Sequence, residues 1–258
     1  PADQPGMFAS LVQTTKPGIT RLVTITAIVG YVLAAVQRTW TWTDLLVTSV
    51  GCMVGTALSA AGANAINQWM ERDRDAAMTR TARRPLPAGH LSPRIVLGTG
   101  VGLAVSGVIV LSSTVGWVPA ALSAACTLVY TLIYTPLKPR TSHATYVGTI
   151  PGALPPLIGW TAASAAGGAA SLLEPGGLSL FFLMTVWQIP HFFAIAWMYR
   201  DDYARGGFCV LPTRVRSSSS TAELIIPTDV ASDSPRTSTP TTLLARKVST
   251  RKAIKKHF

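Results

Sequence analysis

The run LLVTSVGCMVGTALSAAGANAINQWM, residues Leu45–Met70, holds no Asp, Glu, Lys or Arg, and Glu71-Arg72-Asp73-Arg74-Asp75 follows at once. A helix of about 20 apolar residues crosses the hydrocarbon core of a bilayer. This stretch therefore reads as a membrane span whose last turns emerge into water. Four more charge-free stretches share its character: Leu22–Val36, Ile95–Leu137, Thr141–Leu173 and Pro175–Tyr199. Ile95–Leu137 has room for two helices joined near Ser112–Gly116. The expected fold is all-α, a polytopic helical membrane protein with about six spans: Ile19–Val36, Leu45–Trp69, Ile95–Ser113, Val115–Leu137, Tyr146–Ala166 and Leu178–Met198. Hydrophobic residues make up 48% of the 258 and charged residues 13%, about half the ~25% of a soluble domain. A soluble enzyme, a secreted disulfide scaffold and a disordered chain are excluded.

Small residues four apart, Gly51/Gly55, Gly98/Gly102 and Gly148/Gly152, mark faces where helices should approach closely. Pro151, Pro155 and Pro156 in the fifth span and Pro190 in the sixth free backbone carbonyls. In lipid those carbonyls need protein partners, so both helices are expected to line the interior. Cys52, Cys126 and Cys209 are far apart and read as small packing residues, not as a metal or disulfide set.

Charge orients the chain. Residues 1–212 carry 13 Lys/Arg and 8 Asp/Glu, a net +5, and residues 213–258 carry 9 and 3, a net +6. Over half of the +11 lies in the tail, so the high pI is no argument for nucleic acid, and none is expected as a partner. If each span crosses once, Lys16, Arg21, Arg72 to Arg94, Lys138, Arg140, Arg200 and Arg205 share one side, against Arg38 on the other. By the positive-inside bias the basic side faces the cytoplasm or an organelle's matrix. Residues 1–15 show no signal- or transit-peptide pattern. Residues 213–258, with eight Ser and eight Thr and a basic end, are too polar to bury a core and are expected to be disordered.

The chemistry gathers where the second span surfaces. No Gly or Pro interrupts residues 63–84, so the helix is expected to run on past the membrane surface. Asn67, Glu71 and Asp75 then stand at i, i+4 and i+8 on one stripe, each step turning about 40°, while Asp73 points away. The outer pair are about 12 Å apart along the axis, at 1.5 Å per residue. Adjacent members can share an ion, and the ladder suits a diphosphate bound through one or two Mg²⁺. The loop Thr79–Gly89 adds Arg80, Arg83 and Arg84, and guanidinium forks bind phosphate oxygens bidentately. Carboxylates for metal beside arginines for phosphate are what departure of a diphosphate requires, since negative charge develops on the leaving group. The alternative is a polar helix end followed by a positive-inside loop.

The ladder resembles the Asn-x-x-x-Asp-x-x-x-Asp motif of UbiA-type intramembrane prenyltransferases, with Glu71 at the central position. Further blocks carry the resemblance to the family's heme-farnesylating branch, the protoheme IX farnesyltransferases or heme O synthases. These are Lys16-Pro17-Gly18-Ile19-Thr20, Asp75–Thr81 with Arg84-Pro85-Leu86-Pro87, Tyr134–Lys138, Gly152–Trp160, Trp187–Phe193 and Trp197–Tyr203. They span residues 16–212, expected as the prenyltransferase membrane domain. The family fold has nine membrane helices, and the resemblance ends after Pro212, so a UbiA-like bundle truncated to about six helices is expected.

The resemblance implies Mg²⁺-dependent transfer of farnesyl from farnesyl diphosphate to a vinyl group of heme b, giving heme O for heme A and cytochrome c oxidase. Asn67, Glu71 and Asp75 would hold the metal, with Asp202 as a second-metal ligand or a partner of Arg205. Arg80, Arg83, Arg84 and Lys138 would hold the diphosphate. His191, three residues after Gln188 and just after Pro190, would contact heme as an iron ligand or general base, against the reading of a cross-helix hydrogen bond. Lys138 could equally hold a propionate or anchor its helix by snorkelling. Quinone-type relatives carry a second acidic motif whose aligned positions here are Tyr199 and Tyr203, which favours heme as acceptor. Farnesyl diphosphate, heme b and the bilayer are the implied partners, with a second copy or a heme A synthesis partner as further candidates. The central Glu points to a mitochondrial inner membrane with the site on the matrix side, a bacterial plasma membrane being the alternative. Rival readings are transfer to an aromatic quinone precursor, an inactive truncated isoform, and a transporter or scaffold. A transporter would carry charges or broken helices near the midplane, whereas the acidic residues here cluster at one surface.

Overall fold

The computed structural model describes residues 6–210, apart from the side chains of 165–167. The expectations for residues 1–5 and for the Ser/Thr-rich tail lie outside the described residues. All regular structure among the described residues is helical. A short α1 (Met7–Thr14) precedes α2 (Pro17–Ala35), α3 (Trp42–Met70) and α4 (Arg72–Ala77). Then come α5 (Pro93–Thr114), α6 (Trp117–Leu128) and, after a π-helical turn at Val129–Tyr134, α7 (Thr135–Leu137). The chain continues through α8 (Ala144–Ala163), a 3₁₀ segment (Ala165–Leu173), α9 (Pro175–Met198) and α10 (Arg200–Arg205). Ser92 caps α5 through its hydroxyl, and Pro93, Pro17 and Pro175 open their helices, where a missing N–H costs nothing. Gly116, at φ 141°, makes the tight turn between α5 and α6 that the sequence suggests.

Five helices are long and apolar enough to cross a membrane: α2, α3, α5, α6 with its continuation to Leu137, and α9. The remaining expected span, α8, falls short of that measure because its prolines, glycines and threonines make it less apolar, which its packing tolerates. It lies against α2, α6 and α9 and buries most of its residues, so its surroundings are protein and not lipid. Its prolines follow the same logic. Pro155 leaves the Pro151 carbonyl without its helical donor, and the Cys126 thiol supplies one at 3.2 Å. Among the described residues α9 does not line the interior as expected. Pro190, Val186, Trp187, Leu183 and Trp197 are exposed, and only Gly177, Gln188 and Ala196 are buried. Among the described residues it packs mainly on α8, along one narrow face.

Close approach falls partly elsewhere than expected. Gly51 and Gly55 do face α5, and Gly148 and Gly152 meet Tyr134 and Gln188. Gly98 and Gly102 face open space, while Gly100 and Gly107 of the same helix touch α3. The tightest seam joins α2 to α8, where a Cβ at Gly159 would run into the Ala27 carbonyl oxygen. Backbone cannot step aside as a side chain can. Gly159→Ala should cost about 1–3 kcal/mol, the range for overpacking, and Gly98→Ala nearly nothing. Thermal unfolding in detergent of the two variants checks this.

The side opposite the basic loops is held by one polar knot. Both Arg38–Glu174 contacts are 2.9 Å, and Trp160 Nε1 (2.7 Å) and Ser164 Oγ (3.1 Å) also donate to Glu174. Partial burial alone would raise the Glu174 pKa, but Arg38, Trp160 and Ser164 outweigh it and hold it below the ordinary value of 4.5. A carboxyl depressed by folding stabilises above its unfolded pKa, and that contribution disappears as pH falls through the folded value. Stability should therefore drop below about pH 4.5 in the parent, and Glu174→Gln should flatten that drop in an acid titration of the melting temperature.

Candidate functional site

The α3 helix does not run unbroken to residue 84. It ends at Met70, turns at Glu71 (φ −96°, ψ 6°) and restarts as the short α4. The ladder survives because the backbone bonds cross the break: Glu71 N–H donates to Asn67 O (3.0 Å) and Asp75 N–H to Glu71 O (2.7 Å). Asn67, Glu71 and Asp75 are 0%, 7% and 1% exposed, while Asp73 stands in solvent. The stripe thus faces inward as one unit.

Each of the three meets a cation or is held by one. Lys16 Nζ donates to Asn67 Oδ1 at 2.6 Å, Lys138 Nζ to Glu71 Oε1 at 2.9 Å, and Arg84 Nη1 to Asp75 Oδ2 at 2.6 Å. Asn67 Nδ2 donates to Thr135 Oγ1, which the π-helical turn brings into place. Pro136 carries no N–H to continue the α pattern, and Thr135 N–H instead reaches back five residues to the Tyr130 carbonyl. Lys138 follows one turn later, its ammonium 4.6 Å from the Tyr134 ring centroid.

Three cations face two carboxylates, so the site carries excess positive charge. Burial, with Arg84 and Lys138 nearby, pushes the Lys16 ammonium down to about 7 against the opposing pull of Glu71 and Asp75. Burial alone would lower Lys138 and raise Glu71. Tyr134 and then Glu71 outweigh it at Lys138, and Lys138 and then Lys16 outweigh it at Glu71, so Lys138 lies above and Glu71 below the ordinary value. Lys16 is also the one non-glycine residue at positive φ (49°) among those described. Such conformations cost about 1–3 kcal/mol and gather at functional sites. The oxygen set of one amide and two carboxylates is the hard-donor chemistry that Mg²⁺ takes, and ammoniums already rest on two of those oxygens, Lys16 on Asn67 and Lys138 on Glu71. The residues present fit the metal.

A cavity of about 280 Å³ opens beside this ionic end. Ile19, Val23, Ala60, Pro155, Ile158 and Phe192 give it an apolar wall, and Lys138 and Tyr134 stand on its rim. A second cavity of about 80 Å³ shares Lys138, Tyr134 and Phe192 with it and reaches Thr145, Tyr203 and Phe208.

The structure brings Asn67, Glu71, Asp75, Arg84 and Lys138 together. Arg80 lies to one side, its guanidinium 5.0 Å from the Tyr199 ring centroid, and Arg83 is exposed. Asp202 is turned to the loop backbone: its carboxylate accepts from Thr79 N–H and Arg80 N–H, 3.1 Å each, and from Arg205. Among the described residues, no three His, Cys, Asp or Glu side chains gather as a metal cluster, so Asp202 does not join Glu71 and Asp75. His191 is exposed on α9, stacked on Trp187 at 4.7 Å, and does not reach the stripe. Two site residues escaped sequence reading, Lys16 and Thr135. Lys16 carried a signal: it opens a block that bears the family resemblance, just ahead of the first span.

Comparison with known proteins agrees with this architecture. The profile described as the UbiA prenyltransferase family matches residues 23–228, past Pro212, where the sequence reading ends the domain. A protoheme IX farnesyltransferase of Solibacter usitatus is 41% identical over 219 residues, 83% of this chain and 73% of the relative. One of Anaeromyxobacter is 42% identical over 78% of this chain and 64% of its own length. The mitochondrial protoheme IX farnesyltransferase of Homo sapiens is 39% identical over 81% of this chain, which spans 44% of it. Among solved structures, a UbiA homologue from Archaeoglobus fulgidus bound to DMAPP and Mg²⁺ superposes with a TM-score of 0.62 at 16% identity, over 83% of this chain and 72% of that one.

Proposed function

This chain belongs to the UbiA prenyltransferase family, and from that premise we propose that it transfers a farnesyl group from farnesyl diphosphate to a vinyl group of heme b. One observation carries the reading: three inward oxygen residues in helical register, overmatched by cations, one of which, Lys138, also lines an apolar cavity. A positively charged end beside a greasy pocket suits an amphiphile with an anionic head. The names of the relatives supply the acceptor.

In this proposal Asn67, Glu71 and Asp75 hold Mg²⁺, which when bound supplies Lewis-acid stabilisation of the departing diphosphate. Lys16 and Lys138 turn from their present partners toward phosphate oxygens, and Arg84 bridges the anion to Asp75. Arg80 and Arg83 approach from the loop. The C1–O bond of the donor breaks with its electron pair leaving on diphosphate, and this positive rim stabilises that charge. The apolar wall keeps water from the allylic cation, which the vinyl carbon of heme captures. Water then adds to the resulting carbocation and gives up a proton, leaving a hydroxyethylfarnesyl side chain. The donor chain occupies the larger cavity and the acceptor edge enters through the smaller, so the two meet at Lys138, Tyr134 and Phe192. His191, stacked on Trp187 along the outer face of α9, contacts heme as an iron ligand or as the base that takes the proton. The active site faces the matrix side of a mitochondrial inner membrane, with a bacterial plasma membrane as the alternative; the human relative's name supports the organelle alone, and the other relatives are bacterial.

The test is incubation of the full chain in lipid nanodiscs with heme b, farnesyl diphosphate and Mg²⁺, reading the product mass. Heme O is the expected product. Farnesylation of 4-hydroxybenzoate and not of heme would move the chain to the quinone-type branch, and no transfer to either would remove the assignment.

A further inference from the structure

The segment following α9 is stitched across the mouth of the site. Asp202 gives one carboxylate oxygen to the amide of Thr79 and the other to the amide of Arg80. Arg205 completes the arrangement by bonding both Asp202 and the Thr79 hydroxyl, the latter at 2.7 Å. On either side, Arg74 Nη1 donates to the Gly206 and Gly207 carbonyls (3.0 and 3.1 Å), and Cys209 N–H to the Lys138 carbonyl (3.0 Å). Residues 199–209 therefore touch both cationic arms of the site: the loop bearing Arg80 and Arg84, and the turn bearing Lys138. Asp202 is 7% exposed, and with two amides and a guanidinium on its oxygens it has little left to offer an ion.

We propose that Asp202 is a positioning residue that clamps the Thr79–Arg80 backbone to α10, fixing the diphosphate-binding loop, and is not a metal ligand. The inference rests on the proposed diphosphate role of that loop. Its physical logic is that a flexible arginine loop loses conformational entropy on binding an anion, and a loop already tied by charge-assisted bonds loses less. Burial alone would raise the Asp202 carboxyl, but Arg205 and the Arg80 and Thr79 donors outweigh it and keep it ionised below its ordinary range. An ionised acceptor is what two neighbouring amides require.

Hydrogen–deuterium exchange of the full chain without substrate reads the clamp directly. Asp202→Ala should speed exchange in peptides covering 76–84 by about ten-fold or more, the scale of losing bonds to a charged group. Asp202→Asn keeps the volume and one acceptor oxygen, and should fall between parent and alanine variant. In turnover, both variants should raise KM for farnesyl diphosphate by about five- to ten-fold with a smaller change in kcat. The Mg²⁺ concentration for half-maximal binding of inorganic pyrophosphate should stay within about two-fold of the parent's. Unchanged exchange in both variants overturns the clamp. A Mg²⁺ requirement raised ten-fold at unchanged exchange identifies a metal ligand instead. Because the exchange measurement uses no substrate, a parent chain that keeps the clamp yet makes no product counts against the proposed function alone.

Discussion

Asp75→Ala should lower farnesyl transfer by about 10²–10³-fold, whereas Asp73→Ala, two residues away, should leave it within about two-fold. The first range is that of removing one preorganised electrostatic group from a site of charge development, and the second is typical of a surface substitution. The contrast is set by helical register alone. Asp75 is 1% exposed and paired with Arg84, and Asp73 has its side chain 85% exposed beside Arg72. Removing the Asp75 carboxylate strips a proposed metal ligand and also releases the guanidinium proposed to meet the leaving group. Initial rates at saturating Mg²⁺, with thermal unfolding to confirm that both variants fold, decide the matter. Equal losses in the two variants would mean that the stripe has no special part in the reaction.

Lys138→Met should destabilise the chain by about 3–5 kcal/mol, the cost of leaving a buried charge without its partner. Here the stranded group is Glu71, whose side chain is 8% exposed. Adding Glu71→Gln removes the stranded charge, so the double variant should recover most of the stability and none of the activity. That split separates packing from chemistry. Denaturant unfolding and transfer rates measured on the parent, both single variants and the double variant give the full cycle. A double variant as unstable as Lys138→Met would show that the ammonium's contacts with the Tyr134 and Phe208 rings matter more than its pairing with Glu71.

Much of the molecule was legible before any coordinates. Five of the six expected spans are helices fit to cross a bilayer, and the inward stripe of Asn67, Glu71 and Asp75 follows from their spacing. Other readings failed for a common reason: they concerned which surface a helix turns toward its neighbours. Gly98/Gly102 and Gly100 lie on one helix and look alike as sequence, yet only Gly100 meets α3. Pro190 suggested an interior helix, but among the described residues α9 buries little beyond Gln188, whose amide bonds the Met184 carbonyl and the Thr149 carbonyl of α8. The continuous helix past Met70 was expected because no Gly or Pro forbids it. A turn at Glu71 lets the following loop fold back so that Leu86 and Leu91 pack on Ala65 and Val96.

The sequence by itself determined the membrane class and the ladder, because hydropathy and the 3.6-residue period are properties of neighbours along the chain. Only the tertiary structure decided which cation meets which oxygen. Lys16 reaches Asn67 across 51 residues and Lys138 reaches Glu71 across 67. It likewise decided that Asp202 ties down a loop 122 residues away. Those pairings depend on how separately formed helices pack, and no local pattern of side chains encodes the distance between them.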